Sequence, residues 1–222
     1  MTKFLQPSAY ALQQIKQVPF EDRPLLICDV DEVLLQFIPQ IEAFANEQDI
    51  GFKEHVYAFE GNLIELSTGA DVSRDRIRRL IDDFFKAHVE SQEPVTHAVE
   101  QLERLSQNYQ IVILTNLPGL ENHPKRTRLL QSYGINYPMV FNHGPKGPAV
   151  AALCANRSHQ TTVFVDDSPL NMTSVNKHAP HVHLIHFIAD SRFFEGSITL
   201  SQTTLKSNCW LEAGDFIHGL LR

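Results

Sequence analysis

Five short apolar runs in this chain lack the 3.6-residue spacing of an amphipathic helix. They cover residues 24–28, 111–115, 138–141, 162–167 and 182–187. Such runs are typical of strands buried on both faces of a parallel sheet. Between them lie segments with helical spacing, at residues 126–133, 148–154 and 170–178. This alternation predicts an α/β fold with a doubly wound parallel sheet and helices on both faces.

The stretch between the first two predicted strands is too long for a single crossover helix. Apolar residues follow a helical spacing from residue 37 to residue 49, and Ser73 is placed to cap a second helix. We therefore expect a smaller helical cap domain over residues 38–92, inserted into a core made of residues 1–37 and 93–222. The tail after Ala189 is predicted to be irregular, apart from an amphipathic helix over residues 210–221.

Composition narrows the class of protein. The 222 residues are 43% hydrophobic and 20% charged, as in an ordinary globular protein, and the formal net charge is −7. That charge argues against extended binding to nucleic acid or to an anionic membrane, and no stretch predicts a membrane span. The first twenty residues lack the apolar centre of a signal peptide, and the three cysteines are far apart. We expect a cytoplasmic protein with reduced thiols.

Polar residues suited to catalysis follow four of the five predicted strands. Asp29 and Asp31 come directly after the first strand, and their spacing places both on one side of an extended chain. Alone, an Asp-x-Asp sequence is more typical of a polar turn. The second, third and fourth strands end in or run directly into further such residues, namely Thr115 and Asn116, Lys146 within the glycine- and proline-rich segment 144–148, and Asp166 and Asp167.

In this order, and each after an apolar strand, these residues resemble the four motifs of the haloacid dehalogenase superfamily. The resemblance covers roughly residues 24–190, and the insert matches it only in position. It implies a Rossmann-like core and a Mg²⁺-dependent phosphatase that acts on a small phosphorylated metabolite. Neither the physiological substrate nor the oligomeric state follows from the sequence.

The resemblance also implies a role for each acid. Asp29 is expected to attack the phosphoryl group and form an aspartyl-phosphate, and Asp31 to act as general acid and base. Mg²⁺ is expected to bind Asp29, the backbone carbonyl of Asp31, and the pair Asp166 and Asp167. Which member of that pair binds the metal directly is left open.

The remaining motif residues are expected to bind the phosphoryl oxygens. Thr115 and the backbone amide of Asn116 are expected to donate hydrogen bonds, and Lys146 to supply fixed positive charge. Lys125 lies between the same strands and is the alternative cation. The segment around Lys146 fits the family pattern better.

Two features depart from a simple match. Glu32 stands where many members of the superfamily have glycine, so we expect the turn to accept a side chain and the site entrance to gain negative charge. His181, His183 and His186 could suggest metal ligands. Since no further ligand spacing accompanies them, packing within the strand is the favoured interpretation.

Two other functions remain as alternatives. One is a 2-haloacid dehalogenase, which uses the same nucleophile without a metal. The other is a non-catalytic protein that binds a phosphorylated ligand. The joint presence of Asp31, Asp166, Asp167 and Lys146 argues against both, because dehalogenation needs no metal ligands and a binding protein needs no nucleophile.

Overall fold

The structure is a computed structural model that describes residues 6–157 and 159–221. Its strands, in chain order, are β1 (Leu25–Cys28), β2 (Ile50–Phe52), β3 (Leu63–Glu65), β4 (Gln110–Thr115), β5 (Met139–Phe141), β6 (Thr162–Asp166), β7 (His183–Phe187) and β8 (Leu205–Ser207). Six of them form one sheet in the order β5-β4-β1-β6-β7-β8, and every neighbouring pair in it is parallel. The strand that carries the first predicted motif therefore lies in the middle of the sheet.

The three central strands are buried along their whole length. Cys28, the last residue of β1, lies beside Ile113 of β4 and Val165 of β6. Chain segments that leave these strands therefore emerge together at the carboxyl edge of the sheet, where ligands bind in open α/β sheets.

Helices cover both faces of the sheet. In chain order they are α1 (Ala9–Ile15), α2 (Ile38–Asn46), α3 (Arg74–His88), α4 (Ala98–Ser106), α5 (Asn122–Ser132), α6 (Gly147–Cys154), α7 (Pro169–His178), α8 (Ser191–Gly196) and α9 (Trp210–Gly219). Apolar residues of α4, α5 and α9 pack on one face, and those of α1, α6 and α7 pack on the other. The predicted doubly wound parallel sheet is confirmed.

The segment 38–92 contains α2 and α3, as its two helical patterns indicate, and also a feature that the patterns miss. Strands β2 and β3 pair antiparallel between the two helices. Each strand has only three residues, too few for an alternating pattern to stand out from a loop. The hairpin and helices share a small apolar cluster that includes Ile50, Leu63 and Leu80.

The tail differs from the sequence prediction. Residues after Ala189 form α8 and then β8, which adds a sixth strand beside β7 through residues Leu205–Ser207. Only Leu205 in that strand is apolar, so the sequence carries no strand pattern there. The final helix, α9, packs on the core through Trp210, whose indole donates a 2.8 Å hydrogen bond to the Val33 carbonyl.

Among the described residues, the helices are too short or too polar to cross a membrane.

Candidate active site

Asp29 follows β1 directly and is almost completely buried, with 7% of its surface exposed. Its Oδ1 atom accepts hydrogen bonds from the Val30 amide at 2.7 Å and from the Lys146 ammonium group at 2.7 Å. Burial raises the pKa of Asp29 to about 7, although the Lys146 cation opposes the rise and the charge of Asp166 adds to it. Asp29 is therefore a buried carboxylate whose ionised form depends on nearby positive charge.

Lys146 supplies that charge from the start of α6. It is completely buried, and its Nζ atom lies 2.7 Å from Asp29 and 2.8 Å from Asp166 Oδ2. Burial alone would lower the pKa of Lys146, but the two carboxylates outweigh it and raise the pKa above its usual value. Lys146 thus keeps its charge in the interior.

Glycine at position 147 allows this placement. A Cβ atom on Gly147 would lie 2.3 Å from the Ser174 carbonyl oxygen, so any larger residue would push α6 away from α7. The alternative cation, Lys125, lies on α5 and is partly exposed. The structure therefore brings Lys146, and not Lys125, to Asp29.

Asp166 and Asp167 are adjacent at the end of β6 but have different surroundings. Asp166 accepts hydrogen bonds from Lys146, from the Ser168 amide at 2.9 Å and from the Asn171 side chain at 3.1 Å. The Asp167 carboxylate receives no hydrogen bond from any other residue that the structure describes, and only 4% of the residue is exposed. Burial, followed by the charges of Asp29 and Glu32, raises the pKa of Asp167 well above its usual range.

The acids at this edge fit a divalent metal ion. One carboxylate oxygen from each of Asp29, Asp166 and Asp167 lies within 4.8 Å of the other two. Carboxylate oxygens are the ligands that Mg²⁺ prefers. A cation among them would oppose both the burial and the mutual repulsion that raise the pKa values of Asp29 and Asp167. Asp167, whose carboxylate accepts no hydrogen bond from another residue in the described structure, is the better candidate for a direct ligand.

Thr115 is the last residue of β4, the strand beside β1, and Asn116 follows it. The Thr115 side chain is buried, and its hydroxyl group has no hydrogen-bond partner among the described residues. A buried polar atom without a partner is uncommon and indicates a site that a ligand can complete. The Asn116 side chain donates to the Gly144 carbonyl at 3.0 Å and accepts from Asn142 at 2.9 Å, so it joins the loops after β4 and β5.

Asp31 is held by two residues that sequence reasoning missed. Its Oδ1 atom accepts hydrogen bonds from Arg126 at 3.0 Å and from the Gln92 side chain at 2.9 Å. Both partners are completely buried. Arg126 shares the buried face of α5 with Leu129 and Leu130, and an arginine at such a position signals a buried acidic partner. No sequence pattern indicates that Gln92 contacts Asp31.

Glu32 differs from its expected role at the entrance. Its backbone has a φ angle of 62°, the left-handed conformation that favours glycine, so the turn does accept a side chain there. The carboxylate is completely buried and accepts hydrogen bonds from the backbone amides of Phe37, Ile38 and Asp190 at 3.2, 2.8 and 2.6 Å. The carboxylate is therefore directed at the first turn of α2 and at the loop after β7 and is not exposed at the entrance, although its charge still contributes to the raised pKa of Asp167.

Of His181, His183 and His186, the last two lie in β7, as expected for packing within the strand, whereas His181 is exposed in the turn before it. His186 is completely buried, and its Nε2 atom donates to the Asp167 carbonyl at 2.8 Å. Burial lowers the pKa of His186, so the ring is neutral near pH 7. In the described part of the chain, the group of possible metal ligands comprises acids alone.

No protein-family model matches this chain, and no curated protein sequence matches it. Solved structures do. A haloacid dehalogenase-like hydrolase from Streptococcus pneumoniae aligns with a TM-score of 0.57 at 15% identity, over 88% of this chain and 98% of its own. A predicted phosphoglycolate phosphatase from Haemophilus somnus aligns with a TM-score of 0.58 at 12% sequence identity, over 92% of this chain and 100% of that protein.

A third solved structure, a HAD-hydrolase from Bacillus subtilis bound to magnesium, aligns with a TM-score of 0.56 at 14% identity, over 89% of this chain and 100% of its own. That magnesium-bound structure reveals interdomain movement in the Bacillus subtilis protein. At such low identities the likeness establishes a shared fold.

Proposed function

The chain has the fold of haloacid dehalogenase-like hydrolases, and on this basis we propose that it is a Mg²⁺-dependent phosphatase that hydrolyses a small phosphate ester. The observation that carries the proposal is the buried Asp29, paired with Lys146 and close to two further acids at the sheet edge. The unpartnered hydroxyl group of Thr115, on the neighbouring strand, supplies a donor for a phosphoryl oxygen.

Asp29 is the nucleophile. Its Oδ1 atom is engaged by Lys146 and by the Val30 amide, which leaves Oδ2 to attack phosphorus. The bond from phosphorus to the ester oxygen breaks, and the phosphoryl group is carried on Asp29. Lys146 fixes the direction of the carboxylate and offsets part of the charge that two anions bring together.

Asp31 moves the protons. It protonates the departing alkoxide in the first step and accepts a proton from water in the second, in which that water attacks the phosphorus of phospho-Asp29. Inorganic phosphate leaves, and Asp29 is regenerated.

The donor set of Asp29, Asp166 and Asp167, with the backbone carbonyl of Asp31, would hold Mg²⁺, which supplies charge neutralisation at the phosphoryl group. Asp167 would be the direct ligand of the last pair, since its carboxylate receives no hydrogen bond from any other described residue. Asp166 instead orients Lys146 and Asn171.

Residues 38–92 act as a cap over residues 1–37 and 93–222, which form the core. Aromatic residues of the segment and its entry, Phe37, Phe84 and Phe85, pack with Leu117 and Phe193 of the core. Since Asp29 is almost completely buried, substrate reaches it only when this contact opens, and closure then excludes water during attack.

The proposal is tested by phosphoenzyme formation. With Mg²⁺ and a phosphate ester or acyl phosphate labelled in the phosphoryl group, wild-type protein should release phosphate and carry label on Asp29. Asp29→Asn keeps the shape of the side chain but is a poor nucleophile, so turnover should fall more than about a hundredfold. Excess chelator should abolish activity, Mg²⁺ should restore it, and Ca²⁺ should support it poorly.

Each alternative function gives a different result. Release of halide from 2-haloacids in excess chelator would identify a dehalogenase, and one of the similar solved structures is described as a dehalogenase. Tight binding of a phosphate ester, with neither turnover nor label on Asp29, would identify a binding protein.

A further inference from the structure

The two chain segments that join residues 38–92 to the core run side by side. The Gln36 amide donates to the Glu93 carbonyl at 2.8 Å, and the Val95 amide donates to the Leu34 carbonyl at 2.9 Å. These two segments, residues 34–37 and 92–95, are called the crossings below. Because every connection of the insert to the core along the chain passes through them, rotation of the insert must move at least one crossing.

Gln92 connects both crossings to Asp31. Its Nε2 atom donates one hydrogen bond to Asp31 Oδ1 at 2.9 Å and another to the Gln36 carbonyl at 3.2 Å. Its backbone carbonyl accepts a 3.1 Å hydrogen bond from the Tyr133 hydroxyl group of the core. The side chain is completely buried, so water does not replace these contacts.

Arg126 holds the same carboxylate from the core. Its guanidinium donates to Asp31 Oδ1 and to the Gln92 side-chain oxygen, and it lies 5.6 Å from the ring centroid of Phe85 in α3. The Asp31 side chain is 14% exposed, and its Oδ2 atom accepts no hydrogen bond from the described residues. Two hydrogen bonds therefore fix Oδ1 of Asp31, whereas Oδ2 is available for proton transfer.

Resting on the proposed function, we propose that Gln92 is a positioning residue for Asp31, through which the attachment of the cap controls proton transfer. Gln92 and Arg126 fix Oδ1, and Oδ2 is the atom that exchanges the proton with the leaving group and with water. Gln92 belongs to a crossing, whereas Arg126 belongs to the core. Movement of the insert therefore removes one of the two contacts that set the direction of the carboxylate.

The test compares two phosphate esters with different demands for a proton. An alkyl phosphate needs an acid to help its alcohol leave, whereas a nitrophenyl phosphate does not. Gln92→Leu should lower the rate of phosphoenzyme formation from the alkyl phosphate roughly 10²-fold, the scale expected for a misplaced catalytic group, and leave that from nitrophenyl phosphate nearly unchanged. The dissociation constants of both esters, measured before phosphoryl transfer, should stay close to the wild-type values, and phosphoenzyme formed from nitrophenyl phosphate should accumulate because its hydrolysis also needs Asp31.

Gln101→Leu is the matched control. Gln101 is another buried glutamine, and it lies on α4, where its side-chain oxygen has no partner in the described structure. This variant should slow both esters equally or not at all. Equal slowing of the two esters by Gln92→Leu would overturn the proposal, since a purely structural defect does not distinguish leaving groups.

A double-variant cycle then asks whether Gln92 acts through Asp31. In an Asp31→Asn background, Gln92→Leu should cause no further loss of phosphoenzyme formation from the alkyl phosphate. Losses that multiply would mean that Gln92 contributes by another route, and the proposal would fail.

A spectroscopic measurement keeps the inference separate from the proposed function, because it needs no turnover. The side-chain amide resonances of Gln92 should shift between wild-type protein and Asp31→Asn, while those of Gln101 stay in place. If the Gln92 resonances are unchanged, the contact with Asp31 is absent in solution and the proposal is overturned, whether or not the chain hydrolyses any phosphate ester. If they shift but Asp29 carries no label with any ester, the proposed function fails and the positioning contact stands.

Discussion

The two carboxylates of the Asp29-Val30-Asp31 motif lie two residues apart, yet different parts of the molecule hold them. Asp29 is held by Lys146, a residue of the core whose position depends on the packing of α6 against α7. Asp31 is held by Arg126 together with Gln92, which lies where the chain returns from the insert. Asp29, the proposed nucleophile, is therefore fixed by the sheet and its helices, whereas Asp31, the proposed acid/base, depends on how the insert is attached.

Removal of Lys146 should have the largest effect on stability and turnover, because Lys146 is the core residue that holds Asp29. Lys146→Met leaves Asp29 and Asp166 buried without their shared cation, which should lower the free energy of unfolding by about 3–5 kcal/mol and turnover by on the order of 10²–10³-fold. Urea unfolding and steady-state rates measure the two effects.

Lys125→Met is the control, since it removes the same charge from a partly exposed position on α5. It should change stability by less than about 0.5 kcal/mol and leave turnover unaltered. A large loss of turnover in Lys125→Met would show that the cation was assigned to the wrong lysine.

The raised pKa of Asp29 predicts how stability depends on pH in the absence of metal. Its pKa is about 7 in the folded protein and near the ordinary 3.8 in the unfolded chain, so the folded state binds more protons between these values. The free energy of unfolding should therefore fall as pH rises from about 4 to about 7, by at most about 4 kcal/mol. Asp167 adds to the fall, because its pKa is raised as well.

Urea unfolding at pH 5 and pH 8 measures this dependence. Asp29→Asn should reduce the fall, and Mg²⁺ should oppose it by stabilising the ionised acids. If Asp29→Asn has the same pH dependence as wild-type protein, Asp29 does not titrate in this range.

The neighbours Asp166 and Asp167 should respond differently to the same substitution. Asp166→Asn weakens a charged contact with Lys146 and should lower the free energy of unfolding by about 1.5–3 kcal/mol. Asp167→Asn removes a buried charge that receives no hydrogen bond from other described residues, so stability should stay the same or rise. Its main effect should be to raise the Mg²⁺ concentration needed for half-maximal activity.

Measurement of both properties in both variants decides the assignment. If Asp166→Asn shifts the Mg²⁺ requirement and Asp167→Asn lowers stability, the roles given to the two acids must be exchanged.

The sequence predicts the central strands and their polar ends well, for a physical reason. Strands buried on both faces are continuous apolar runs, and these runs end abruptly where Asp29, Thr115 and Asp166 begin the edge of the sheet. Parallel pairing then brings the ends together without further information. The short strands β2, β3 and β8 escape prediction because a glycine or polar residues interrupt their three positions, whereas the equally short β5 is apolar throughout.

The partners of Asp31 and Glu32 could not be predicted in the same way. Gln92 lies in a polar linker, and its role depends on how the returning chain pairs with residues 34–36, which no local pattern specifies. Arg126 does carry a signal, since it shares a buried helix face with leucines, but the signal does not identify its partner. The sequence marks the unusual residue Glu32, whereas only the fold shows that its carboxylate points inward.

Glu32 gives the smallest expected effect, because two contributions oppose each other. Glu32→Gly removes the acceptor for the amides of Phe37, Ile38 and Asp190, which ties the start of α2 to the loop after β7. Glycine, however, relieves the backbone strain of the 62° φ angle by about 1–2 kcal/mol. We expect a net loss of about 1–3 kcal/mol in the free energy of unfolding.

His97→Gly separates the two contributions. His97 has a φ angle of 65° and a side chain that is 42% exposed, so glycine relieves similar strain there without removing buried hydrogen bonds. That variant should be unchanged or up to about 1 kcal/mol more stable. If Glu32→Gly behaves like His97→Gly, the buried carboxylate does not stabilise the start of the insert. If it is less stable and the α2 amides exchange faster with solvent, the loss lies in the contacts that join the insert to the core.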